Sequence, residues 1–225
     1  QFATLISYRS GSSLINNYTT WTSGSLGFFA GHASGDTTKY QISYNGSGFP
    51  NLTSTSTIKY NQWAHIAIVR KSGTITLYIN GVYEGSFSGG AALNGSGNWT
   101  IGTAGDALVG YTVTGYMSDI RITNGTALYT SNFVPQFTNP LTAVANTTLL
   151  TLQTNGAHNN STFKDESGFN NIITRSGNAT NGTFSPYGDN WSYYFDGSST
   201  NYLTLTLAQS PGTTLTFEAW VDPIA

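Results

Sequence analysis

The chain has 225 residues and a mass of 24.0 kDa, enough for one large β-domain or two small domains. Charged residues are only 8%, with eight Lys+Arg against ten Asp+Glu, which excludes a basic nucleic-acid footprint and a polybasic membrane patch. Cysteine is absent, so there is no disulfide framework, thiol nucleophile or thiolate metal site, and no apolar run approaches the roughly 18 residues of a membrane span. Surface polarity must come from Gly, Ser, Thr and Asn, a composition that suits an extracellular setting. Twelve Asn-X-Ser/Thr triplets, from Asn17 to Asn190, describe a glycan-permissive surface. Beginning at Gln1 without a signal peptide, the sequence reads as a mature product or a piece of something longer.

The hydrophobic period is two throughout. Strands are predicted at Thr4–Tyr8, Leu26–Ala30 and Lys39–Tyr44, then at Trp63–Arg70, where a Trp, small residues and β-branched residues read as a buried strand. Lys71-Ser72-Gly73 is a turn signal. Thr74–Ile79 alternates strictly and ends at Asn80-Gly81, which favours a two-residue hairpin because both positions accept positive φ. Val82–Ser86 returns as the partner. Further strands follow at Trp99–Thr103, Gly115–Thr123, Leu149–Thr151, Ser192–Asp196, Tyr202–Leu205 and Leu215–Asp222. Ala127–Ser131 is the one candidate for a short helical turn. Many short strands with Gly/Asn/Ser turns predict an all-β, two-sheet jelly-roll sandwich, with Trp63, Tyr78 and Trp220 filling the space of about 10 Å between sheets.

Several segments carry a resemblance. Trp63–Arg70 followed by Leu77–Gly81 resembles the central hairpin of laminin-G-like (concanavalin A-like) jelly rolls. Gly115–Ile122 and Thr126–Phe133 resemble a late strand of that fold and the segment after it. Asp165-Glu166-Ser167-Gly168-Phe169-Asn170-Asn171 is similar to the signature near the start of such domains, and Tyr194–Gly197 and Leu215–Val221 are similar to its first core strands. Proteins with tandem units of this kind, many from bacteriophages and marine bacteria, also resemble the sequence.

The order is circularly out of phase: the opening signatures lie at 165–222 and the later ones at 1–150. Residues 1–153 read as the main body of one jelly roll, 154–162 as a linker, and 163–225 as the first strands of a jelly roll that is the following one, a neighbouring subunit's, or the same one permuted. Three readings stay open: one period of a tandem array, a circular permutant, or a subunit that lends its tail to the next. Phe2, Leu5, Phe217, Trp220 and Val221 are the residues expected at such a shared-strand interface.

The chemistry is sparse. Glycoside hydrolysis needs two carboxylates across a cleft, and the alternating Glu-x-Asp-x-Glu run of related enzymes is missing. Glu218 reads as an exposed strand residue and His65 as a hydrogen-bonded strand histidine. No catalytic residue is assigned, no organic cofactor is implied, and the scattered His32, His65 and His158 make no zinc site. Calcium is the one metal to consider, since the resemblance implies a rim site; Asp165, Asn170 and Asp196 are its candidate ligands, with Asp106 and Asp119 behind them. Sugar binding would use aromatic faces, for which Trp21, Tyr44, Trp99 and Tyr111 are candidates, with Tyr40 and Trp191 nearby in kind. The expectation is a non-enzymatic, extracellular structural unit of a filament, fibre or cell-adhesion protein, whose partners are copies of itself. The alternative is a carbohydrate-binding module, such as a phage tail-fibre receptor-binding domain, whose partners are cell-surface glycans.

Overall fold

The computed structural model describes residues 3–9, 24–31, 36–44, 50–89, 93, 98–104, 111–152, 163–182, 184–188 and 191–224. Alternating apolar residues broken by Gly and Asn give strands: β1 (Ala3–Arg9), β2 (Leu26–Ala30), β3 (Lys39–Tyr44), β4 (Leu52–Thr57), β5 (Ala64–Lys71), β6 (Thr74–Ile79), β7 (Val82–Ser88), β8 (Asn98–Ile101), β9 (Thr114–Asn124), β10 (Thr147–Thr151), β11 (Ile173–Ser176), β12 (Thr180–Gly182), β13 (Ser192–Asp196), β14 (Tyr202–Leu205) and β15 (Leu215–Pro223). Among the described residues there is no helix, and so none that could cross a membrane.

The strands form two antiparallel sheets of a jelly-roll sandwich. Sheet A runs β11-β14-β8-β1-β2-β3-β4, and sheet B runs β12-β13-β9-β15-β5-β6-β7, with β10 also paired to β9. The β5–β6 and β6–β7 hairpins turn on Ser72-Gly73 (φ 49° and 77°) and Asn80-Gly81 (φ 50° and 77°), the doubly positive geometry expected of a type I′ turn. Gly81 is also fixed by packing, because a Cβ there would run into the Phe133 carbonyl.

The inner faces close on one core containing Leu5, Ile6, Phe28, Ile42, Ile66, Leu77, Trp99, Phe195, Phe217 and Val221. Each such large side chain contributes about 1.5–3 kcal/mol on burial. Residues 3–152 and 163–224 share this core. β15 lies between β5 and β9: Phe217 is opposite Ile68 on one side and Ile122 on the other. β13 pairs with β9 and β14 with β8. In this structure the tail strand comes from the same chain, and Leu5, Phe217 and Val221 are buried in its core. Phe2 lies outside the described residues.

Three expectations change. Tyr78 and Trp220 do not fill the space between the sheets. Along β15, Leu215, Phe217, Ala219 and Val221 point inward, so Trp220 points out of the sandwich, against His65, Phe137 and Tyr187. Tyr78 likewise packs outward with Ala67, Val69, Tyr129 and Phe133, and Trp63 lies against Tyr116 and Phe184. The expected turn of helix at 127–131 is absent. This segment is tied to sheet B from the side, with the Leu128 N–H donating to the Thr216 hydroxyl and Tyr129 stacked on Phe133. Finally, β4, β11 and β12 were not predicted; they are short, polar edge strands whose Thr/Asn/Gly sequences carry little apolar alternation.

Candidate functional site

The outward face of sheet B carries the densest group of ionisable side chains. Glu218 on β15 is fully buried rather than exposed, because residues 126–143 fold over this face. Its Oε1 accepts from Arg121 Nε at 2.7 Å and faces Arg121 Nη2 at 2.5 Å; its Oε2 accepts from His65 Nε2 at 3.1 Å and the Tyr129 hydroxyl at 2.7 Å. Burial alone raises the carboxyl pKa, but the donors from His65, Arg121 and Tyr129 outweigh it and hold Glu218 below the usual carboxylate range. Arg121 also donates to the Thr142 carbonyl at 2.8 Å, so the cluster anchors the covering segment.

Asp119 is the second buried carboxyl. It occupies a bulge where Glu218 pairs with Arg121 and Trp220 with Ser118, and it has φ 53°. Its oxygens accept from the Ser118 hydroxyl at 2.7 Å and the Leu141 N–H at 2.5 Å. Burial pushes its pKa up to about 7, against the pull of these bonds. Both carboxyls are sealed from solvent, and Glu218 is filled by four donors, so neither group faces a space that a substrate could enter. The cluster is a structural hub. Position and residue type alone suggested a surface glutamate; the only sequence signal for the cluster was its possible pairing with His65 and Arg121 on neighbouring strands.

The calcium candidates are not assembled into a site. Asp165 is buried, with Oδ1 accepting from the Leu150 and Ser167 N–H groups and Oδ2 from the Ser167 hydroxyl, the Asn171 N–H and the Asn171 amide, at 2.6–3.0 Å. Five donors leave it no free lone pair for a cation, and they explain the Asp-x-Ser-x-x-x-Asn spacing as a self-contained loop clamp. Asn170 is an exposed turn residue with φ 52°. Asp196 is exposed and caps the Ser198 N–H at 2.8 Å. Among the described residues no three His, Cys, Asp or Glu side chains gather as a metal site. Asp106 falls outside them.

The sugar-stacking candidates separate as well. Trp99 is fully buried against Tyr8, and Tyr44 is buried with Phe87 and Arg70 beside it. Neither ring offers a face to a ligand. Tyr40 is buried and stacked on Phe28, Tyr111 and Trp191 are half-buried, and Trp21 lies outside the described residues.

A cleft of about 560 Å³ that the sequence did not suggest lies where the last strand of each sheet meets, at β4 and β7. Glu84 bridges the two strands by accepting from the Ser56 N–H at 2.8 Å and the Ser56 hydroxyl at 2.6 Å. Tyr40 and Trp63 line the cleft, with Ala64, Ile79 and Val82 as its apolar wall.

A family model described as "Concanavalin A-like lectin/glucanases superfamily", of laminin G type, matches residues 6–129. No curated protein and no solved structure gives a significant match. The matched region spans more than half of the chain and contains the β5–β6–β7 hairpins, the β9 bulge and the first residues of the segment that folds over sheet B, so the chain belongs to the laminin G branch of the concanavalin A-like superfamily.

Proposed function

We propose that this chain is a non-enzymatic structural unit of an extracellular fibre, filament or surface adhesin, whose copies join head to tail by exchanging residues 163–224. The observation that carries this reading is the place of β15, a central strand of sheet B contributed by the end of the chain. Its exit is adjacent to the start of β1, since Ala3 and Ile224 line the same cavity of about 190 Å³. Every β15 contact that a copy makes with its own β5 and β9 is available, unchanged, to the tail of another copy. An exchange that does not close on itself propagates. The sealed state of Glu218 and Asp119 supports a non-catalytic role. Of the aromatic candidates for the carbohydrate-binding alternative, only half-buried Tyr111 and Trp191 reach the surface among the described residues, which favours the structural reading.

Trans-complementation tests it. Phe217→Asp disables the tail and Ile68→Asp disables the body, and each variant alone is expected to be unfolded. Refolded together, the intact body of the first and the intact tail of the second should form one native sandwich, detected by near-UV circular dichroism and a heterodimer mass. A mixture that stays unfolded would remove strand exchange as the joining mechanism.

A further inference from the structure

Hydrogen bonds cross the seam between the body (residues 3–152) and the tail (163–224) at several points, but among the described residues every ion pair across it ends on Glu218. The carboxylate belongs to the tail, and all its donors belong to the body: His65 on β5, Arg121 on β9 and Tyr129 in the covering segment. β5 and β9 are the two strands that β15 must leave if the tail is to be exchanged. The covering segment must lift too, since it lies over β15. Two further bonds tie it there, from the Leu128 N–H to the Thr216 hydroxyl at 2.9 Å and from that hydroxyl to the Thr126 carbonyl at 3.1 Å. Glu218 therefore holds the tail to both neighbouring strands and to its cover at one point.

Glu218 has no exposed surface, so water cannot take the place of its charge. A protonated carboxyl puts an O–H where a donor now points, and it strips the buried Arg121 guanidinium of its counter-ion. The other ionisable groups facing this point are His65, whose Nδ1 is buried without a partner, Tyr129, Asp119 and Tyr187. Asp119 takes up its proton at about pH 7, so it does not change further in the range where Glu218 titrates.

We infer that Glu218 is an acid-operated latch on the exchangeable tail: protonating it frees β15 and the segment above it together, and so sets when one copy gives its tail to another. The inference rests on the head-to-tail reading and supplies its regulation. In the closed seam the donors hold the carboxyl below its ordinary 4.5, a value it regains once β15 has left. The latch is thus fully closed above about pH 4.5. Below that the open fraction rises by about tenfold per pH unit, as one proton requires, until the folded value is reached.

Hydrogen exchange on the full chain, read by mass spectrometry and corrected for the intrinsic pH dependence of amide exchange, is the test. Between pH 7 and pH 3 the protection of β15 (Leu215–Pro223) should show this acid step, while β3 (Lys39–Tyr44) holds. Tyr129→Phe removes one donor and should shrink the step about tenfold. Glu218→Gln, a neutral mimic of the protonated carboxyl, should expose β15 at pH 7 and show no step. Ile42→Val, which weakens sheet A away from the seam, should keep it. Exchange itself is read separately: unlabelled and 15N-labelled chains, mixed in acid and returned to pH 7, should give oligomers of mixed mass that the same mixture kept at pH 7 does not. The inference is overturned if β15 stays protected to pH 3, if β3 opens with it by the same factor, or if Tyr129→Phe and Glu218→Gln both keep the wild-type step. An acid step without mixed oligomers would uphold the latch and overturn the head-to-tail reading. Mixed oligomers forming equally at both pH values would uphold that reading and overturn the latch.

Discussion

Replacing Glu218 by Gln tests whether the covered face of sheet B is held by charge. The substitution keeps the shape of the side chain. It removes the negative charge that faces Arg121 at 2.5–2.7 Å, and it puts an NH2 group where either the guanidinium or the Tyr129 hydroxyl and His65 now donate. Arg121 is 7% exposed and cannot recover its hydration without displacing residues 126–143. Breaking one side of a buried pair costs about 3–5 kcal/mol. In a domain of this size each kcal/mol is worth about 2–4 °C, so the melting temperature should fall by roughly 6–20 °C. Thermal unfolding followed by circular dichroism reads this directly. The double variant with Arg121→Met should be more stable than Glu218→Gln alone, since it removes the stranded cation. A loss below about 1 kcal/mol for Glu218→Gln, or no recovery in the double variant, would refute the claim that this pair is desolvated.

Asp119 gives stability a pH dependence of unusual sign. Its folded pKa of about 7 lies above the ordinary 3.8, so its contribution is fully present below 3.8 and is lost as pH rises through 7, on the order of 4 kcal/mol in all. Glu218, with its pKa lowered, contributes stability that is lost as pH falls through its folded value, so urea midpoints should peak at about pH 4; Asp119→Asn, which tolerates the same φ, should flatten the decline from about pH 4 to 7. Asp165→Ala removes the acceptor of five hydrogen bonds and should destabilise by about 3 kcal/mol or more, whereas excess EGTA should leave the wild-type melting temperature within about 1 °C, and a larger EGTA effect would show that calcium is bound. Gly81→Ala adds a Cβ at φ 77° against the Phe133 carbonyl and should cost at least about 2 kcal/mol in chemical denaturation, while Gly73→Ala, at the same φ but with open space around it, should cost less.

Much of the fold was legible because its cause is local. Alternation in Thr74–Ile79, the Asn80-Gly81 turn and the β-branched run at Ile66–Val69 act within a few residues, and they placed β5, β6 and β7 and the family resemblance together. The Asp165 clamp also lies in one short stretch, though its use as a hub of backbone donors appeared only in three dimensions. What the sequence could not fix was the side of a sheet that each residue faces once a bulge intervenes, and what then covers that side. Asp119 shifts the register of β9, residues 126–143 cover the outward face, and Glu218, Trp220 and Tyr78 are buried there instead of in solvent or between the sheets. The cleft was equally hidden, because it exists only where the last strands of two sheets meet. Period and turn chemistry determined the strands; long-range pairing decided which polar groups were enclosed, because burial depends on what arrives from elsewhere in the chain.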